Sequence, residues 1–273
     1  MADIRIAFIG AGNMAGSIIG GLIAGGHPAR AICASSPDQA SREALEALVP
    51  VRTLADNAEA AAAADVIVLA VKPAVVAAAC ADIAPAVAGG DKLVISVAAG
   101  VPAASLRRWL GDRVPVVRCM PNTPALLGCA ASALYAASDV DDSQRSHANM
   151  ILSAVGLVCW VPDEEALHAA TALAGSGPAY FFLFMEAMAA EGERLGLDRE
   201  TAAALTAQTC LGAARMAAES GSTLAELRRR VCSPGGTTER AVDSFRGDDL
   251  EGIVARAMSA CLARSRELAG EFD

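Results

Sequence analysis

Lysine is nearly missing from this 273-residue chain: Lys72 and Lys92 are the two, and the second half has none. Histidine is almost as scarce, with three in all, and only His168 stands beyond residue 162. Alcohol and hydroxy-acid dehydrogenases need a group that exchanges the hydroxyl proton, commonly His or Lys. The second half is poorly supplied for that chemistry. Aromatic residues make up 4% against 54% hydrophobic, so the interior must be built from Ala, Val, Leu and Ile. Basic side chains are outnumbered 22 to 31 and the net charge is −9, which argues against nucleic acid or an anionic membrane as partner. No apolar run reaches the ~20 residues of a membrane span. The stretch 66–88 is broken by Lys72, Pro73, Asp82 and Pro85, and 179–190 is short and carries Glu186. The eight cysteines (33, 80, 119, 129, 159, 210, 232 and 261) contain no C-x-x-C pair. They read as buried free thiols in a reducing compartment, with no metal site. With no basic leader before the first apolar run, the expectation is a cytoplasmic globular protein.

What is there begins at residues 4–26, IRIAFIGAGNMAGSIIGGLIAGG. Ile4, Ile6, Phe8 and Ile9 suit a strand buried on both faces. The turn Gly10-Ala11-Gly12-Asn13-Met14-Ala15 reads G-x-G-x-x-A, and a helical pattern follows with Met14, Ile18, Ile19, Leu22 and Ile23 on one side. Strand, glycine turn and helix in that order are the opening of a dinucleotide-binding unit. Gly10 permits the tight turn, Gly12 lets a pyrophosphate approach the backbone, and the helix N-terminus offers free N–H groups to it.

The alternation continues. A strand is expected at 31–34, and then a helix with Leu45, Leu48 and Val49 inward, its start marked by Ser35-Ser36-Pro37. Further helices are expected at 56–64, 74–88 and 103–110, and strands at 65–72, 93–100 and 114–120. Two more strands, 130–137 and 157–161, should flank a helix at 141–155. This pattern predicts an α/β fold, a doubly wound parallel sheet with helices on both faces. Past Asp163 no strand-like run recurs. Helical patterns fill 164–174, 178–195, 198–219, 223–231, 237–246 and 250–269, which places a boundary near residue 162 between two domains, 1–162 and 163–273. The stretch 178–190 is apolar nearly all round and needs cover on every side. A helical domain of this size can hardly give that, so a subunit interface is expected.

The second strand ends in Ala34-Ser35-Ser36-Pro37. An NAD site usually carries Asp or Glu at this place, to hold the ribose 2′-OH. Hydroxyls there do not repel a 2′-phosphate, so Ser35 and Ser36 favour NADP, with NADH as the second choice. His168, on an amphipathic helix, reads as a surface histidine. A substrate needing little help from a protein acid fits best, and an imine that arrives protonated is such a substrate. Two glycine- and proline-containing loops open helices in the second half: Gly175-Ser176-Gly177-Pro178-Ala179-Tyr180 and Ser233-Pro234-Gly235-Gly236-Thr237-Thr238. Both read as carboxylate-binding candidates or as ordinary helix caps.

Taken together and in order, IGAGNMA, AVKP (70–73), CMPNTP (119–124), GSGPAY (175–180) and SPGGTT (233–238) resemble the pyrroline-5-carboxylate reductases over nearly the whole chain. The resemblance implies a Rossmann-like domain followed by an all-α dimerisation domain, with dimers often joined into larger rings. It implies NAD(P)H-dependent reduction of 1-pyrroline-5-carboxylate to L-proline, the last step of proline biosynthesis. It assigns the cofactor to Gly10, Ala11, Gly12, Asn13, Met14, Ser36, Asn57, Ala70, Val71, Lys72, Pro73 and Ala99. It further implies that Thr238 hydrogen-bonds the ring nitrogen, that the backbone of Gly236, Thr237 and Thr238 holds the carboxylate, and that Glu164 borders the substrate. Two other readings stand beside it: a hydroxy-acid dehydrogenase of similar two-domain build, and a catalytically silent NADP-binding regulator.

Overall fold

Short strands, most of them apolar runs between glycine or proline breaks, number eight among the described residues, and the computed structural model, which describes residues 4–272, joins them into one sheet. The strands are β1 (Ile6–Ile9), β2 (Ile32–Ser35), β3 (Arg52–Leu54), β4 (Val66–Leu69), β5 (Leu93–Ser96), β6 (Val116–Met120), β7 (Ala130–Ala136) and β8 (Gly156–Trp160). Between them run α1 (Asn13–Ala24), α2 (Gln39–Leu48), α3 (Asn57–Ala62), α4 (Val76–Val87), α5 (Ala103–Leu110) and α6 (Asp142–Ser153). After β8 come α7 (Ala166–Ala170), α8 (Gly177–Arg194), α9 (Arg199–Glu219), α10 (Leu224–Val231), α11 (Thr237–Gly247) and α12 (Leu250–Gly270).

The strand order is 3-2-1-4-5-6-7-8. All neighbours are parallel except β6 and β7, which run antiparallel with Cys119 opposite Leu134. The expected all-parallel sheet is corrected at that one pair. The link from β6 to β7 is a short 3₁₀ turn over Thr123–Leu127, too short for the crossover that a parallel pair needs. Strand β3 also lies outside the sequence expectation. Its Arg-Thr-Leu has no apolar run, and it pairs only at the sheet edge with β2.

Period-two alternation sends neighbouring side chains to opposite faces. Ile6 and Phe8 join Ile18, Ile19 and Leu22 of α1 in one core, together with Ile151 and Leu152 of α6. Ala7 and Ile9 join Ala60 and Ala61 of α3, Ile83 of α4 and Leu106 of α5 in the other. Strands covered on both faces read as continuous apolar runs, which is why they are legible.

Two local expectations are corrected. Leu48 is 75% exposed, while Leu45 and Val49 are buried, because 48 falls on the solvent side of the last turn of α2. The start of α2 is capped by Asp38, whose carboxylate accepts from the Ser41 N–H, and Pro37 precedes the cap. Of the cysteines, Cys80 and Cys119 are buried, Cys129 and Cys159 exposed, and the rest half-buried, so burial of most is corrected. Burial pushes the Cys80 thiol up to about 12 and the Cys119 thiol up as well.

By contacts the chain divides into two units, one running to Ser176 and resuming at Cys261, the other spanning Gly177–Ala260. In the first, His168 is 9% exposed, with Nδ1 2.8 Å from the Ser265 hydroxyl on α12. The surface position expected for it is corrected. No helix among the described residues is long and apolar enough to cross a membrane.

Candidate functional site

The strand order reverses beside β1: the chain moves outward through β2 and β3, then returns to add β4 on the other side. In open α/β sheets ligands bind in the crevice outside the strand ends at such a switch point. Gly10 and Ala70 flank it, each directly after its strand. The Gly10 N–H donates to Ser35 O, and the Ala70 N–H donates to Ile9 O, both at 2.8 Å. Gly10 has φ +112°, and a Cβ there would lie 2.6 Å from Ala70 O. Only glycine fits that approach.

Gly12 differs. It is the N-cap of α1, with no side-chain cap, and a Cβ there would meet nothing within 4 Å. The open space lies over the unpaired N–H groups of the first helical turn. That space leaves room for a ligand to approach the backbone, so a dinucleotide fits this turn. Gly12 and Asn13 are exposed, while Ala11, Met14, Asn57, Ala70, Val71 and Pro73 are half-buried. Lys72 and Ala99 are exposed. All of them belong to the sheet-bearing unit.

The two serines after β2 part company. Ser35 is fully buried, and its hydroxyl donates to Asn57 Oδ1 at 2.7 Å. Its expected contact with a 2′-phosphate is therefore corrected: the buried side chain points to Asn57 at the start of α3. Asn57 in turn donates to the Asp82 carboxylate at 2.9 Å, so the Ser35 bond holds the amide in place. Ser36 is half-buried, and its hydroxyl accepts the Asp38 N–H at 3.3 Å.

Glu164 lies in the same unit. One of its carboxylate oxygens accepts from Arg118 Nη1 and from the Ala103 N–H, each at 2.7 Å. Arg118 is buried on β6, so this ion pair braces α5 and the start of α7 against the strand. Asn122, of the CMPNTP stretch, is a brace that sequence reasoning missed. Its amide donates to Ala174 O at 3.0 Å and its carbonyl accepts the Ala131 N–H at 3.0 Å. A π-helical turn over Thr171–Gly175 follows α7, and in it the Ser176 N–H is taken up by Thr171 O. With Gly177 buried and Pro178 lacking an N–H, this loop is a weak carboxylate site.

In the helical unit, the SPGGTT stretch forms the entry to α11. Gly235 turns the chain with φ +71°, and its N–H donates to the Glu239 carboxylate at 2.7 Å. The Gly236 N–H donates to Ser233 O at 2.9 Å. Gly236 is the N-cap and has no side chain with which to cap, so the N–H groups of the first turn stay open. Thr238 is half-buried in this turn, and Thr237 is exposed. Among the described residues, no group of three or more His, Cys, Asp or Glu could hold a metal.

Residues 164–268 match the family described as pyrroline-5-carboxylate reductase dimerisation. Residues 5–100 match NADP oxidoreductase, coenzyme F420-dependent. The pyrroline-5-carboxylate reductase of Pseudomonas aeruginosa is 54% identical over 100% of this chain and 99% of its own. A solved pyrroline-5-carboxylate reductase from Coxiella burnetii is 42% identical, with a TM-score of 0.95, over 98% of this chain and 99% of that one. The Plasmodium falciparum enzyme, solved with NADP bound, is 27% identical with a TM-score of 0.86, again over 98% and 99%. Open glycine turn, uncapped SPGGTT helix and full-length similarity agree: the chain belongs to the pyrroline-5-carboxylate reductases, oxidoreductases of the final step of proline biosynthesis.

Proposed function

We propose that this chain reduces 1-pyrroline-5-carboxylate to L-proline, with NADPH preferred over NADH. The first turn of α11 carries the reading. Its N-cap Gly236 leaves backbone N–H groups open to a carboxylate, and Thr238 stands half-buried in the same turn with a hydroxyl for the ring nitrogen. The helix dipole adds a partial positive charge to those N–H groups. A chain of net charge −9 thus holds an anionic substrate by local dipoles.

The residues of the sheet unit fit a dinucleotide. Gly10, Ala11, Gly12, Asn13 and Met14 would hold the pyrophosphate, and Ala70 to Pro73, Ala99 and Asn57 would line the crevice beside it. Bound there, reduced nicotinamide supplies hydride. Thr238 orients the iminium ring by its hydroxyl, and that hydrogen bond persists as the C=N electron pair settles on nitrogen. Solvent then gives the amine its further proton. His168 takes no part, since its ring is buried against Ser265. That burial also removes the one histidine of the second half that a hydroxy-acid dehydrogenase could use as its base. Glu164 acts as a brace on Arg118 and borders the substrate only through the elements it fixes.

We assign residues 1–162 to cofactor binding and 163–273 to substrate and assembly, in a homodimer that can join further dimers into a ring. A groove between α8 and α9, lined by Ala179, Phe182, Leu183, Glu186, Ala203 and Thr206, is the face a second copy covers. The chain works in the cytoplasm. The test is loss of NADPH absorbance with pyrroline-5-carboxylate, compared with a panel of hydroxy and keto acids. Turnover of the imine alone supports the reading. Turnover of hydroxy acids, or cofactor binding with no turnover, overturns it.

A further inference from the structure

We propose that Arg42 is the residue that reads the 2′-phosphate of the cofactor, together with the Ser36 hydroxyl. The proposal rests on the nucleotide reading of the glycine turn given above. The adenosine ribose of a dinucleotide lies beyond the second strand, where NAD sites carry an acid and NADP sites an arginine. Here β2 ends at Ser35, and the guanidinium of Arg42, on α2, is held over that end. Its Nη1 donates to Ser36 O at 2.7 Å and to Pro37 O at 3.1 Å. A guanidinium has five N–H donors, so Nε and the Nη2 pair are left, and they form the edge that matches two phosphate oxygens. Arg42 makes no direct ion pair with another described residue, and it is half-buried; the two carbonyls fix its head, and the Asp38 carboxylate feels its charge from further off.

The rest of the loop agrees. Ser36 Oγ accepts the Asp38 N–H and so keeps its own proton to donate. Asp38 is the acid in sequence reach, and its Oδ2 is spent on the Ser41 N–H and hydroxyl, capping α2. Those hydrogen bonds, with a smaller contribution from the charge of Arg42, hold the Asp38 carboxyl below its usual range, so it stays an anion at the helix start. A ribose 2′-OH finds the one nearby carboxylate, Asp38, turned to Ser41 through Oδ2, whereas a 2′-phosphate finds a fixed cation and a hydroxyl.

The test is calorimetric titration of the full-length protein with 2′,5′-ADP and with 5′-AMP. Wild type should bind 2′,5′-ADP the more tightly. Arg42→Ala should weaken 2′,5′-ADP about 10- to 100-fold and leave 5′-AMP within about twofold. Arg42→Lys keeps the charge but loses the fork, so it should fall between. An arginine that merely braces the loop through Ser36 and Pro37 predicts equal losses for both nucleotides, and that result overturns the proposal. Wild type that binds the two equally overturns it as well, whether or not the variants fold, while leaving the nucleotide reading intact. Binding of neither nucleotide overturns both.

Discussion

The sheet-bearing unit and the helical unit bury their side chains on different terms. Every residue of β1, β4 and β5 is buried, and helices cover the sheet on both faces. In Gly177–Ala260, only Gly177, Ala202, Thr206 and Leu227 are buried. Phe181 is 69% and Leu183 68% exposed, with Phe182 and Phe184 also open, as an apolar helix without a partner would show. The first unit covers both faces of its own sheet. The second leaves a patch of the kind that marks an interface. Glycine turn and SPGGTT loop inherit this difference: one is built onto a covered sheet, the other stands on helices whose apolar side chains are exposed in the single chain.

The largest effect should therefore come from a charge on the open face. Wild type is expected as a dimer or a multiple of it at micromolar concentration. Phe182→Glu should break that species into monomer or aggregate, because a carboxylate in a covered apolar face costs several kcal/mol. Light scattering decides. A wild type that scatters as a monomer, or a variant that assembles as well as wild type, removes the distinction between the two units.

Next in size is a pair of glycines in the closed unit. Gly10→Ala should cost about 1–3 kcal/mol for the positive φ alone, and more for a Cβ set 2.6 Å from Ala70 O. Its Tm should drop clearly. Gly12→Ala meets nothing within 4 Å, so it should lose less than about 1 kcal/mol, the scale of an N-cap change. Its loss should appear as weaker NADPH binding. Equal Tm values for the two variants would falsify the assignment of one glycine to the fold and the other to the ligand.

How much of this was legible in the sequence follows from the same contrast. Strands buried on both faces announce themselves, because covering both sides demands unbroken apolar residues, as in Val66–Leu69. Strand β3 does not, since an edge strand of Arg52-Thr53-Leu54 makes no such demand. Strand direction carries no residue signature, which hid the antiparallel β7. At the site, Gly10 and Gly12 were readable from spacing. Ser35 was not, because a hydroxyl looks the same whether it faces solvent or Asn57. Arg42 was passed over, although a cation four residues past Asp38 on α2 was visible. The role of Asn122 needed its two long-range partners to be seen. His168 deceived because a histidine on an amphipathic helix reads as surface, and Ser265 lies 97 residues away.

A smaller effect is expected at the open end. If Thr238 holds the ring nitrogen as proposed, Thr238→Ala removes one hydrogen bond worth about 1–3 kcal/mol, or about 5- to 150-fold in kcat/KM for the imine. Thr238→Ser should keep much of the rate. NADPH affinity should stay nearly unchanged, and so should Tm, because Gly236 and not Thr238 caps α11. Full activity in a folded Thr238→Ala would move the nitrogen contact elsewhere.

The smallest effect tests whether the closed unit is closed at its last helix. Burial holds the His168 ring below its ordinary value, with desolvation the largest cause and Glu165 opposing it. Arg118 and Arg266 add to the lowering, and Glu164 opposes it. The neutral ring is therefore the native form, and the unfolded chain binds a proton that the folded chain does not. Above the unfolded value of about 6.5 the two states agree, and this site adds no pH dependence. As pH falls from there toward the lower folded value, the unfolded state gains protons first, so stability drops. Urea midpoints for wild type should decline between about pH 6.5 and 5 more steeply than those of His168→Gln, which keeps a hydrogen-bonding group near Ser265 but cannot titrate. The variant should cost less than about 2 kcal/mol at neutral pH, where its amide replaces a single bond of a neutral ring. Parallel pH profiles for the two proteins would show that α12 leaves this ring open to water.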